Sequence, residues 1–192
     1  MSLPVIESSR LLLRPFCEED LADFFSYACH PEVGPNAGWK PHASVSESYT
    51  ILRSFIQNEE VWAITLKDSG KLIGSIGLHN DTARSVSKKY VRSLGYVFSA
   101  AHWGEGYATE AARRVLRFVF TEMENPPEMI SIYHRDSNTR SRRVINKCGF
   151  KFEGVTRKAM EDPWFGLSDR WAYSMTEREW CQTVVNESVL KG

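Results

Sequence analysis

The chain has 192 residues, 42% of them hydrophobic and 25% charged, the profile of a soluble globular protein long enough to bury a core. Its 24 Lys and Arg balance 24 Asp and Glu, so no net field draws it to nucleic acid or to a membrane surface. Four scattered cysteines (Cys17, Cys29, Cys148, Cys181) show no Cys-x-x-Cys spacing, and no apolar run reaches the ~18 residues of a membrane span. The expectation is a cytoplasmic protein with reduced thiols, no metal and no leader peptide.

Elements follow in chain order. "SRLLLRPF" (Ser9–Phe16) is apolar and ends near a proline, as a strand does. "CEEDLADFFSYACH" places Leu21, Phe24, Phe25 and Ala28 on one helical face behind an acidic first turn. "PEVGPNAGWKPH" (Pro31–His42), rich in proline and glycine, predicts loop. A second amphipathic helix occupies "SVSESYTILRSFIQNEE", and "VWAITLKDSGKLIGSIGLHN" predicts two strands around a turn at Asp68–Ser69–Gly70. "DTARSVSKKYVR" (Asp81–Arg92) is polar and basic and predicts a long hairpin loop; "SLGYVF" returns as a strand ending at Phe98. A helix then runs to about Glu122 and is broken by "NPPE". "MISIYH" predicts a strand, "NTRSRRVINKCGF" a short helix closed by Gly149, and "KFEGVTRK" a strand. "MEDPWFGLSD" predicts a loop, "RWAYSM" a last strand, and the tail from Thr176 a helix. Helices with mixed, partly hairpin-linked strands and no linker make one α/β or α+β domain over residues 1–192.

Between the strand at Phe98 and the following helix lies "HWGEGYATEA" (His102–Ala111). Gly104 and Gly106 lack side chains, so backbone N–H groups can face a ligand closely. The helix start adds unpaired N–H groups and partial positive charge. That combination suits a diphosphate. The dinucleotide fingerprint is excluded because Thr109 stands where its third glycine belongs, and the Walker loop because Gly-Lys-Ser/Thr is absent.

Four blocks in order carry a wider resemblance: "ESSRLLLRPFCEEDLADF", "KLIGSIGLHN", "LGYVFSAAHWGEGYATEA" and "DSNTRSRRVINKCGFKFEGVTRK", with "LSDRWAYSM" after them. The sequence resembles the GNAT superfamily of acetyl-CoA-dependent N-acyltransferases, and within it the RimJ/RimL type that acetylates N-terminal amines of ribosomal proteins. The resemblance implies a mixed, mostly antiparallel sheet of six to seven strands, splayed at the cofactor site, with helices on both faces. It implies that Trp103, Gly104, Glu105, Gly106, Tyr107, Ala108 and Thr109 wrap the coenzyme A pyrophosphate, mainly through backbone N–H groups, the Thr109 hydroxyl adding a bond. The family's loop opens on Gln or Arg; Ala101 stands there in this chain. Val97, Phe98 and Ser99 would pair with the pantetheine arm as an extra strand, on a strand that splays from the one at Ile130–His134. An N–H near Phe98 would polarise the thioester carbonyl.

Asn138 is a good N-cap residue in its own right. The resemblance places it at the pantetheine or acetyl end, and places Ser141 beside the thioester sulfur, where it can protonate the leaving thiolate. The basic residues Arg140, Arg142, Arg143 and Lys147 read as a solvated face, with contact to coenzyme phosphates as the second reading. The general base is less legible: many relatives carry Glu where this chain has Ser93. The candidates are His79, His134 and Glu161; Tyr96 either bonds into the cleft or packs; Glu110 sits in a helix first turn and is no base. No Ser, His and acid set suits a covalent acyl-enzyme, so direct attack on the thioester is expected.

Residues 31–42, the basic loop 81–92 and "EDPWFGLSD" are the expected acceptor walls, with Trp39, Trp164 and Phe165 as aromatic surface. Arg84, Lys88, Lys89 and Arg92 either attract an acidic peptide or form a solvated loop. The expected acceptor is an amine, on a small molecule or a protein N-terminus, with no nucleic acid or membrane partner, and the protein a monomer or homodimer. The alternative is an acyl-CoA-binding sensor without turnover.

Overall fold

A computed structural model describes residues 3–162 and 166–189. They fall into two compact units, one built mainly from the chain up to Leu78 with Gly95–Arg114, the other from His79–Leu94, Val115–Glu161 and the chain from Leu167 onward.

The first unit opens with the strands β1 (Ile6–Glu7) and β2 (Leu11–Pro15), a 3-10 turn at Glu18–Asp20, and helix α1 (Leu21–Ala28). Helices α2 (Val33–Ala37) and α3 (Val45–Asn58) and strands β3 (Val61–Leu66) and β4 (Leu72–Asn80) follow. β1, β2, β3 and β4 pair antiparallel in sequence order. The β3–β4 turn falls where Gly70 takes a left-handed φ of 71°. The Ser44 hydroxyl caps α3 by accepting from the Glu47 N–H.

α2 is a correction to the expected loop at 31–42. Pro35 lies in the first turn of that helix, where its missing N–H removes no helical bond, and Gly38 ends it at φ 91°. Phe16, Phe24, Tyr27, Leu52, Val61 and Ala63 are buried in one apolar cluster, against which Phe55, Trp39 and Trp103 pack. Phe16, Phe24 and Phe55 form a triangle with ring centroids 5.4–5.9 Å apart.

β5 (Val91–Phe98) and α4 (Tyr107–Arg117) each pass from one unit to the other; a π-helical turn at Phe118–Glu122 extends α4. The second unit adds β6 (Met129–Arg135), α5 (Thr139–Cys148), β7 (Lys151–Asp162), β8 (Gly166–Thr176) and α6 (Glu177–Val189). β6 pairs antiparallel with β8 over its whole length. It pairs parallel with β5 only at Val91–Ser93 against Met129–Ser131. Ile130, Ile145, Val115, Leu116 and Met175 are fully buried here, and Phe120 stacks on Trp180 at 6.4 Å.

The hydrogen-bonded strand order is β1-β2-β3-β4-β5-β6-β8-β7. Eight strands replace the six or seven expected, the addition being the two-residue β1. β7 and β8 also run further than expected. Residues 160–162 and 166–169, assigned to a loop from their composition, are strand. Trp164 and Phe165 lie outside the described residues.

One ion pair steadies the start of the first unit. Asp20, 5% exposed, accepts from both terminal nitrogens of Arg14 at 2.8 and 2.6 Å and from the Cys17 N–H at 2.9 Å. Burial pushes its carboxyl up, but the Arg14 guanidinium and the Cys17 N–H outweigh burial and hold it below the usual aspartate range. Because the folded value is the lower one, this contribution is complete above the ordinary aspartate pKa of ~3.9 and is lost as pH falls below it. Asp20→Asn is expected to cost about 1–3 kcal/mol in urea unfolding at neutral pH and to flatten the acid limb of the stability profile.

Candidate functional site

The glycine loop is built by local rules. β5 ends at Phe98, a 3-10 turn covers Ala100–His102, and α4 begins at Tyr107. Gly104 and Gly106 hold φ values of 89° and 83°, a region closed to most side chains. A Cβ on Gly104 would meet nothing within 4 Å, so the loop is open in front of it. The helical ladder starts with the Glu110 N–H on the Gly106 carbonyl at 3.1 Å. N–H groups ahead of that bond have no acceptor within the helix, and the helix dipole adds to their positive potential.

A carboxylate anchors the loop from behind. Glu110 Oε1 accepts from the Ser8 hydroxyl at 2.7 Å, the Ser9 hydroxyl at 3.1 Å and the Arg10 N–H at 2.8 Å. Its Oε2 takes the Arg10 Nε at 2.7 Å. Arg10 also donates to the Glu105 carbonyl at 3.1 Å and lies 4.2 Å over the Tyr107 ring. Burial raises the Glu110 carboxyl, but the Arg10 N–H, the Ser8 hydroxyl and the Arg10 guanidinium prevail and hold it below the usual glutamate range. Composition showed only a helix-dipole partner at Glu110; the hub depends on residues a hundred positions away.

The strand leading to the loop is tightly placed. A Cβ on Gly74 would come within 2.3 Å of the Val97 carbonyl, so β4 and β5 need glycine there. The Phe98 carbonyl accepts from the Trp103 indole at 2.9 Å. Both Ser99 backbone groups are engaged, its N–H with Ile73 at 2.8 Å and its carbonyl with His102 at 2.9 Å. Val97, Phe98 and Ser99 thus stand beside the loop, with Ser99 already committed to protein partners. The ladder between β5 and β6 ends at Ser93 and Ser131, although both strands continue.

In the second unit Asn138 is the N-cap of α5; its side-chain oxygen accepts from the Ser141 N–H at 3.0 Å. Ser141 is half-buried in the first turn. Gly149 closes the helix at φ 86°, as expected.

His134 is 4% exposed and stacks between Trp171 and Tyr173, at 6.0 and 5.5 Å. Its Nδ1 lies 2.7 Å from the Arg135 carbonyl and must donate; Nε2 lies 3.2 Å from the Tyr173 hydroxyl and accepts. Burial, with Arg142 in support, lowers its pKa against the opposing pull of that carbonyl and Asp136, so the ring is neutral at pH 7. The one lone pair of a neutral imidazole is then occupied. In this arrangement the Tyr173 hydroxyl occupies the nitrogen through which His134, a candidate base, would take a proton. His79 is exposed near the end of β4, and Glu161 is exposed near the end of β7.

The basic segment also reads differently in three dimensions. Arg92 belongs to β5, and Arg84 pairs with Asp81 and Glu153, so neither is a free loop cation. Lys89 lies 5.6 Å over the Tyr90 ring. No group of His, Cys, Asp and Glu among the described residues could hold a metal ion, and no described helix is long and apolar enough to cross a membrane.

The family model for the acetyltransferase (GNAT) domain matches residues 10–151. The uncharacterized N-acetyltransferase YoaA of Bacillus subtilis is 28% identical over 163 residues, covering 82% of this chain and 88% of its own. A GNAT-family acetyltransferase structure from Bacillus anthracis superimposes with a TM-score of 0.81 at 24% identity, covering 91% of this chain and 99% of its own. Mycobacterium smegmatis RimJ, solved with CoA-disulfide, gives 0.73 at 21% identity, with 92% and 88% covered.

Two outcomes test this geometry. Glu110→Ala strands the Ser8, Ser9 and Arg10 donors; with Arg10 46% exposed, solvent offsets part of the loss, and about 1–2 kcal/mol of stability is expected to go. His134, like His42 and His102, has a folded pKa below its ordinary value. Stability is then full above about pH 6.5 and falls as pH drops through that value. Melting curves between neutral and mildly acidic pH should show this slope, reduced in His134→Gln.

Proposed function

Because the chain belongs to the GNAT acetyltransferase family and is an N-acetyltransferase, we propose that it transfers an acetyl group from acetyl-CoA to a primary amine, on a small molecule or a protein N-terminus, by direct attack on the thioester. We place it on the RimJ/RimL-like side of the family, a reading supported by the four sequence blocks and by the likeness of its fold to RimJ. The observation that carries the proposal is the start of α4 behind two left-handed glycines, inside the stretch that matches the family. The open space before Gly104 and the positive end of the α4 dipole fit a pyrophosphate.

Acetyl-CoA, when bound, supplies the activated carbonyl carbon. Gly104, Glu105, Gly106, Tyr107 and Ala108 offer backbone N–H groups to its pyrophosphate, with Trp103 and Thr109 at the flanks. Val97 and Phe98 align the pantetheine arm. The acceptor attacks as the free amine, its proton passing to solvent or to a side chain. The nitrogen–acetyl bond forms, the carbon–sulfur bond breaks, and Ser141 gives its hydroxyl proton to the departing sulfur. Asn138, by capping α5, holds the turn that carries Ser141.

Calorimetry is expected to show acetyl-CoA binding, weakened in Gly106→Ala because an L side chain strains a φ of 83°. Absence of binding at millimolar ligand would overturn the reading. Ser141→Ala is expected to lower kcat by about 10²-fold with little change in coenzyme affinity. An unchanged kcat removes Ser141 from the mechanism. Binding without transfer to any amine would favour a sensor instead.

A further inference from the structure

Local geometry leaves one peptide plane of the glycine loop undecided. Glu105 lies between Gly104 at φ 89° and Gly106 at φ 83°. Turning the Glu105–Gly106 peptide over changes only ψ of Glu105 and φ of Gly106, and glycine accepts φ of either sign. The same loop can therefore present an N–H or a carbonyl oxygen on a given side. For a diphosphate the two are opposite in effect: the N–H donates to it and the oxygen repels it.

Arg10 decides between them. Its Nη1 donates to the Glu105 carbonyl at 3.1 Å. That peptide is trans, so its C=O and N–H point in opposite directions within one plane. With the carbonyl held on Arg10, the Gly106 N–H points away from the guanidinium. The guanidinium is fixed by other contacts. Nε and Nη2 each lie 2.7 Å from Glu110 Oε2, and the group sits 4.2 Å over the Tyr107 ring. The Arg10 backbone is held too, its N–H on Glu110 Oε1 at 2.8 Å and its carbonyl by the Lys67 N–H at 3.0 Å. A Cβ on Gly106 would lie 3.6 Å from Arg10 Nη2, which puts the guanidinium against this residue.

The surrounding charges say how Arg10 acts. Glu110 neutralises it, and Glu105 adds an anion to the loop. Lys71 is a further cation, whose charge reaches His102 ahead of the glycines. Arg10 is therefore not the counter-ion of a diphosphate. It works through the peptide: a charged donor on the carbonyl polarises the amide and strengthens the N–H at its far end.

We infer that Arg10 is a positioning residue of the coenzyme site, setting the Glu105–Gly106 peptide so that the Gly106 N–H donates to the diphosphate. The inference rests on the acetyl-CoA reading above.

Protein labelled with nitrogen-15 at its 12 glycines is titrated by NMR with acetyl-CoA and, in parallel, with S-acetylpantetheine, which carries the same thioester and no diphosphate. The Gly106 signal is identified by its loss in Gly106→Ala. Acetyl-CoA is expected to move the Gly106 amide proton downfield, and S-acetylpantetheine to leave it in place. Arg10→Ala is expected to bind acetyl-CoA about 10-fold more weakly, the size of one charge-assisted hydrogen bond. It should also lose the downfield shift while binding S-acetylpantetheine as the parent protein does. Arg10→Lys, which keeps a charged donor, should restore part of the affinity. Glu110→Gln, which leaves Arg10 beside the Glu105 carbonyl, should keep most of it. The inference is overturned by a Gly106 amide that acetyl-CoA does not move, or by parental acetyl-CoA affinity in Arg10→Ala. It is equally overturned by a loss in Glu110→Gln as large as in Arg10→Ala, or by an equal loss for S-acetylpantetheine. Each of these leaves the acetyl-CoA reading standing. A parent protein that binds no acetyl-CoA at millimolar ligand overturns that reading itself.

Discussion

The carboxylate of Glu110 is the interaction on which the glycine loop depends. A loop that presents bare N–H groups is costly to order, because two of its residues sit at left-handed φ and its polar groups face outward. Glu110 ties that loop's helix to the N-terminal strand segment through Ser8, Ser9 and Arg10, and Arg10 reaches on to the Glu105 carbonyl.

The same economy of charge runs through the chain. Formal charge sums to zero, yet the charges are not evenly paired. Asp20 with Arg14, and Asp81 with Arg84, bury carboxylates beside guanidinium groups, which keeps them ionised and holds loops in place. The Arg170 Nε, by contrast, is buried without a hydrogen-bond partner.

Much of the fold was legible because it is set locally. Gly70, Gly149 and Asn138 each mark a turn or cap through their own backbone or side-chain preference, and each does so in the structure. The glycine loop was legible for the same reason. Where composition misled, a longer-range term prevailed. Residues 31–42 looked like loop, but Val33 is 2% exposed in the core cluster, and that burial supports a short helix that its prolines tolerate. Residues 160–162 and 166–169 looked like loop too, but the pairing of β7 with β8 carries them outward as strand.

The sequence by itself determined the family, the glycine loop and the helix that follows it, since these depend on residue types within a turn or two of one another. Only the tertiary structure decided what each titratable side chain is free to do. It closed the His134 lone pair against Tyr173, from a strand 39 positions on, and joined Arg84 to Glu153 across 69 positions. A side chain's hydrogen-bonding capacity is finite and is spent on whichever partner the fold brings within about 3 Å. Sequence spacing does not carry that distance.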